Sequence, residues 1–135
     1  MSEPQLDEWI LEQTGDALIY ADSNGTIRRW NTAASALFGF ASSEALGQSL
    51  DLIIPEHLRE AHWRGFDVAM HSGQLKLWGK PTLTRALHKD GHKIYVEMTF
   101  ALVKNPQAEV QGSISMARDV TARVEAEKAA RKAAD

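Results

Sequence analysis

The chain has no cysteine. That excludes disulfide scaffolds, thiolate zinc sites, thiol catalysis and chromophores attached through sulfur. Basic residues are too few to dominate: 15 Lys and Arg stand against 18 Asp and Glu, for a net charge of −3. A nucleic-acid binder would need the opposite balance, because cationic side chains must displace condensed counterions. No apolar run approaches the roughly 20 residues of a membrane span. The opening residues 1–4 are acidic and lack the basic and apolar regions of a signal peptide. The expectation is a cytoplasmic protein with no membrane or nucleic-acid partner. What is present is ordinary: 135 residues, 44% hydrophobic and 24% charged, enough for one domain with a core.

Charge is uneven along the chain. Residues 1–27 carry Glu3, Asp7, Glu8, Glu12, Asp16 and Asp22 and neither Lys nor Arg. Residues 4–13 have helical spacing, with Leu6, Trp9, Ile10 and Gln13 on one side. Such a helix can dock on the domain or pair with a copy of itself. Ala17–Ala21 and Thr26–Trp30 flank the turn residues Asp22-Ser-Asn-Gly25 and predict a hairpin. Asn31 can cap a helix through Phe38, which Gly39 stops. Ser42 opens another short helical turn, closed by Gly47.

The clearest helix is predicted over Pro55–His71. Proline suits a first helical position, and Glu56 complements the dipole there. Leu58, Ala61, His62, Gly65, Phe66 and Ala69 form one inward stripe, and Ser72-Gly73 ends it. Three strands follow. Ile94, Val96, Met98, Phe100 and Leu102 alternate with Lys93, Tyr95, Glu97, Thr99 and Ala101, the pattern of an antiparallel strand with one buried face. Thr82–Lys89 precedes it across Asp90-Gly91, and Val110–Asp119 follows it across Asn105-Pro106. A two-residue Asp90-Gly91 loop would pair Leu87 with Ile94 and turn Leu83, Arg85 and Leu87 inward, with Thr82 outward. A three-residue loop or a bulge reverses that parity. Thr121 can cap an alanine-rich, charged C-terminal helix with Glu127 and Arg131 at i,i+4. The fold class is therefore α+β: a five-stranded antiparallel sheet with helices on one face. The expected divisions are a flanking helix over 1–14, a domain over 15–120 and a linker helix over 121–135.

This order, with particular residues, resembles the PAS sensor domain. Asp22–Asn31 resembles its opening hairpin. Leu37-Phe-Gly-Phe40, Glu44-Ala-Leu-Gly47 and Ile54-Pro-Glu56 resemble its middle signatures. Lys89-Asp-Gly91 and Arg118-Asp-Val-Thr121 resemble its hairpin turn and its exit into a signalling helix. The segment Pro55-Glu-His-Leu-Arg-Glu-Ala-His62 is similar to haem-binding PAS domains of bacterial oxygen-sensing kinases and phosphodiesterases. There the proximal histidine stands seven residues after the proline, the place of His62.

The resemblance implies haem b held through iron by His62, with no flavin expected, in a sensor for a diatomic gas or a redox state. A haem ligand must be a neutral imidazole in a dry pocket, and His62 lies in the apolar stripe between Leu58 and Phe66. A core histidine bonded to a backbone carbonyl is the plain alternative. Met98, Phe100, Ile114 and Met116 are expected to line the pocket, with core packing as their alternative. Trp78 and Thr82 are candidate distal residues. An arginine of the oxygen sensors falls at Thr82, and a methionine of the phosphodiesterase relative at Lys80; a threonine hydroxyl is the weaker, neutral donor. His57, His71, His88 and His92 are expected at the surface, and no histidine pair has metal-site spacing on one helix face. No nucleophile elbow or carboxylate pair supports an enzyme, beyond a weak haem peroxidase. The implied partners are a second copy through the flanking helices and an effector protein in trans. The rival reading is a PAS module that binds a small organic ligand, or none, and serves in dimerisation.

Overall fold

A computed structural model describes residues 3–76 and 79–134. The elements run α1 (Glu3–Gln13), β1 (Ala17–Asp22), β2 (Ile27–Trp30), α2 (Thr32–Phe38) and α3 (Ser42–Ala45). A 3-10 turn (Leu50–Ile53) leads to α4 (Glu56–Ser72), β3 (Thr82–Leu87), β4 (Lys93–Lys104), β5 (Val110–Asp119) and α5 (Thr121–Ala134). The strands form one antiparallel sheet in the order β2-β1-β5-β4-β3. The first hairpin and the later three-stranded meander thus meet where β5 pairs with β1. The α+β class and the five strands agree with the sequence reading; the 3-10 turn was not anticipated.

One core cluster joins the sheet to the helices. Ala17, Ile19 and Ala21 of β1, Ile94, Val96 and Met98 of β4, and Ala117 of β5 pack with Ala34 and Phe38 of α2 and Phe66 of α4. In β4 the period-two alternation gives buried Ile94, Val96 and Met98, as the sequence requires.

The β3–β4 loop has three residues. His88 N–H donates to the His92 carbonyl at 2.9 Å, enclosing Lys89-Asp90-Gly91, and Gly91 sits at φ 95°. That left-handed position is one glycine adopts without strain, and it completes a three-residue hairpin loop. Ala86 therefore pairs with Ile94 and Thr82 with Met98. Leu83 and Arg85 point away from the core, which corrects the two-residue-loop parity. Two caps also differ from expectation. Pro55 is the N-cap of α4 rather than its first helical residue. The Thr121 hydroxyl accepts the Tyr95 N–H at 3.0 Å, while Asp119 accepts the Thr121 N–H at 2.8 Å. In α5, Glu127 pairs with Arg123.

Asn31 is the one buried polar side chain among the described residues, 2% exposed. Its Oδ1 accepts the N–H groups of Leu18 and Ala34, each at 2.9 Å. Its Nδ2 donates to the carbonyls of Leu11 and Asp16, each at 3.0 Å. The side chain thus caps α2, as predicted, and also binds the end of α1 and the start of β1. Asn31→Ala orphans buried donors and acceptors in three elements at once. It should lower unfolding free energy by at least about 2 kcal/mol, read as a shifted urea midpoint with an unchanged m-value.

Candidate functional site

Helix α4 is anchored along its length by Arg59, Trp63, Phe66 and Ala69. At its N-terminal side the Arg59 guanidinium donates to the Ile54 carbonyl at 3.0 Å, and the Trp63 indole N–H donates to the Asp51 carboxylate at 2.7 Å. The Trp63 ring lies across Gly25 in the β1–β2 turn, where an added Cβ would come within 2.3 Å of the indole. Gly25 also holds φ 79°, so turn shape and helix docking both require glycine there. Further along, Phe66 and Ala69 are buried, and Gly73 ends the helix with its N–H on the Ala69 carbonyl.

Between α4 and the sheet lies a cavity of about 620 Å³. Its wall is mostly apolar, including Leu50, Phe66, Met70, Leu75, Phe100 and Leu102. The volume exists because the facing positions are small: Ala61, Gly65 and Ala69 on α4, and Ser113 and Ser115 on β5. Arg64 and Lys76 also border it and remain exposed to solvent.

His62 lines this cavity. Its ring meets Trp63 edge-on, with centroids 4.7 Å apart, and lies 6.0 Å from Phe66. Nδ1 is buried and has no hydrogen-bond partner. An unpaired buried polar atom normally costs free energy, so the core-histidine alternative, with a backbone carbonyl taking the proton, does not account for this nitrogen. Burial holds the imidazole pKa below its usual 6.5, opposed by the nearby Asp51 carboxylate. The ring is therefore neutral at pH 7, with one N–H and one free lone pair. Such a ring can ligate a metal or bond a polar ligand in the cavity.

The other expected site residues separate. Phe66 and Phe100 are on the cavity wall, while Leu58 is half-buried on α4 away from it and Met98 is part of the core. Thr82 faces inward opposite Met98, with its hydroxyl directed to the Lys80 carbonyl at 3.4 Å. Ile114 and Met116 are corrected. They pair with Tyr20 and Leu18 on β1 and with Ala101 and Thr99 on β4, all on the sheet face opposite the cavity. Ser113 and Ser115 take the inward positions instead, opposite Leu102 and Phe100. Trp78 lies outside the described residues. The sequence reading missed the two serines, Arg64 and Lys76. The serines' alternation with Ile114 and Met116 was visible, but hydrophobicity pointed to the wrong face.

Comparison with known proteins places this geometry. The PAS fold family profile matches residues 6–120. Sensor protein FixL of Bradyrhizobium diazoefficiens is 42% identical over 53 residues, which is 39% of this chain and 10% of FixL. Oxygen sensor protein DosP of Escherichia coli is 31% identical over 94 residues, 70% of this chain and 12% of DosP. The chain thus spans about a tenth of the length of these curated relatives. The solved structure of an RNA-binding light-oxygen-voltage receptor is similar with a TM-score of 0.75 and 25% identity, over 98% of this chain and 37% of that one.

The unpaired His62 has a thermodynamic signature in the ligand-free protein. As pH falls through 6.5 the unfolded imidazole gains a proton before the buried one does. The unfolded state then binds more protons, so stability drops as pH falls below 6.5. The urea midpoint should be lower at pH 5.5 than at pH 7.5, and His62→Leu should flatten that difference.

Proposed function

This chain belongs to the PAS family, and on that premise we propose that it is a haem-binding sensor domain in which His62 would hold the iron. The observation that carries this reading is the buried, unpartnered imidazole nitrogen of His62 on an apolar cavity of about 620 Å³. That volume lies within the range of roughly 300–1,000 Å³ usual for buried ligands. The likeness to FixL and to the oxygen sensor DosP supports it, as does the position of His62 after Pro55.

Haem, when bound, supplies an iron that takes a diatomic ligand or changes oxidation state. The chain's own residues supply the rest. His62 would hold the iron through a ring nitrogen that burial keeps unprotonated. Leu50, Phe66 and Phe100 give the cavity an apolar wall against which a macrocycle would pack. Arg64 and Lys76 offer cations for the carboxylates of a porphyrin. Ser113 and Ser115 offer neutral hydroxyl donors from the sheet, in place of a charged distal donor.

The proposed output is α5. Ser115 and Phe100 are paired neighbours on β5 and β4, and the same two strands lead to the root of α5. There the Val120 N–H donates to the Tyr95 carbonyl at 2.9 Å, and Lys128 lies over the Tyr95 ring at 4.6 Å. A shift of the sheet at the cavity would reach α5 through that contact. Residues 15–120 act as the sensor and 121–135 as the signalling helix. Leu6, Trp9 and Ile10 are exposed on α1, which supports a homodimer through the flanking helices, with an effector acted on in trans.

A second reading places a flavin in the same cavity, favoured by the light-oxygen-voltage likeness. Without cysteine such a flavin would bind non-covalently. An absorption spectrum separates the readings. Protein supplied with haem should show a Soret band that shifts on reduction and on exposure to carbon monoxide, and His62→Ala should abolish or shift it. Yellow protein with flavin absorption supports the second reading. Colourless protein that takes up neither leaves a PAS module for a small organic ligand or for dimerisation.

A further inference from the structure

The β3–β4 turn gathers three donor side chains that neither the core nor the cavity uses. His88, Asp90 and His92 each place one ligand atom within 4.8 Å of the other two. We propose that this turn binds a divalent transition-metal ion of borderline softness, with zinc as the type, through His88, Asp90 and His92.

The three-residue loop sets the geometry. Its closing pair, His88 and His92, puts both imidazoles on one side of the hairpin. The rings stack with centroids 4.6 Å apart and an interplanar angle of 21°. Both Nδ1 atoms converge on Asp90 Oδ1: His88 Nδ1 is 3.2 Å from it, and His92 Nδ1 is in direct contact. Ligand atoms about 2.0–2.1 Å from a tetrahedral ion stand about 3.4 Å apart. The His88–Asp90 separation is close to that, and a small rotation of the His92 ring opens the space between. His88 Nδ1 accepts the Asp90 N–H at 3.2 Å, so its lone pair faces the turn, and ligation of an ion through it would replace that hydrogen bond.

The turn is held in place before any ion arrives. The His88 ring lies against Gly39, where an added Cβ would fall 2.5 Å from the imidazole. Lys89 N–H donates to the Phe38 carbonyl at 2.9 Å, and the Lys89 ammonium pairs with Glu44 at 2.6 Å. One ligand is thus anchored to the end of α2, and binding need only order Asp90 and His92, which are exposed. Two imidazoles and a carboxylate suit zinc, cobalt, nickel or copper, whereas magnesium and calcium prefer sites built of oxygen. Solvent water completes the coordination.

The test is a titration of the full, metal-free chain with cobalt(II), followed by visible absorption and by displacement with zinc(II). The expected result is saturation at one equivalent and a rise in melting temperature with either ion, since a ligand of the folded state stabilises it. His92→Ala and Asp90→Asn should each weaken binding by about tenfold or more. Both positions are exposed, so circular dichroism should show an unchanged fold. The pair His57→Ala with His71→Ala should leave the affinity unaltered. Binding by His92→Ala as tight as by the parent chain, loss of binding with His57 and His71 instead, or no saturable binding at all would overturn the site.

Discussion

A single carboxamide organises the first half of this molecule. Asn31 uses both lone pairs and both protons of its side chain, and its partners lie on the end of α1, the lead into β1, β1 itself and α2. The Asn31 side chain itself is buried, so it meets these four backbone groups in place of water. The arrangement admits little slack: a shift of β1 relative to α2 would break several of these bonds together. Since β1 lies between β2 and β5, its position sets the register of β5. That register decides which side chains of β5 look towards α4.

The candidate site follows from what α4 does and does not touch. Trp63 and Arg59 tie the helix to the β1–β2 turn and the 3-10 turn, and Phe66 and Ala69 tie it to the interior. Between these anchors the helix presents alanine and glycine, and the sheet presents serine. A cavity is the geometric result of small residues facing small residues across a spacing fixed elsewhere. On the helix side Arg64 stays in solvent, whereas His62 is half-buried and its buried nitrogen has no protein partner. A chain selected only for packing would have filled this space with larger aliphatic groups.

Much of this was legible in the sequence because it depends on local chemistry. Alternation from Ile94 to Leu102 fixed the long strand, Asn31 announced a cap, and Pro55 with Gly73 bounded α4. The placement of His62 on an inward stripe was also readable from helical spacing. Parity was harder. The β3 register turns on whether Lys89 belongs to the loop, a one-residue matter of backbone dihedral at Gly91. On β5 the usual rule inverted: Ile114 and Met116 lie on the face away from the cavity, with Leu18 beside them. Hydroxyl groups line the inner side because space, rather than hydrocarbon, is needed there. The approach of His88 and His92 was hidden for a related reason, since only a three-residue loop makes them a closing pair.

The two serines bear on the protein when nothing is bound. An empty chamber walled only by hydrocarbon stays dry and leaves its lining without contacts, a standing cost to the fold. Ser113, Ser115 and the His62 ring supply polar sites at which water can stand. On the proposed reading the fold would not depend on a bound ligand, because solvent can meet these polar groups. Occupancy would then be a variable of its own, set by the supply of ligand.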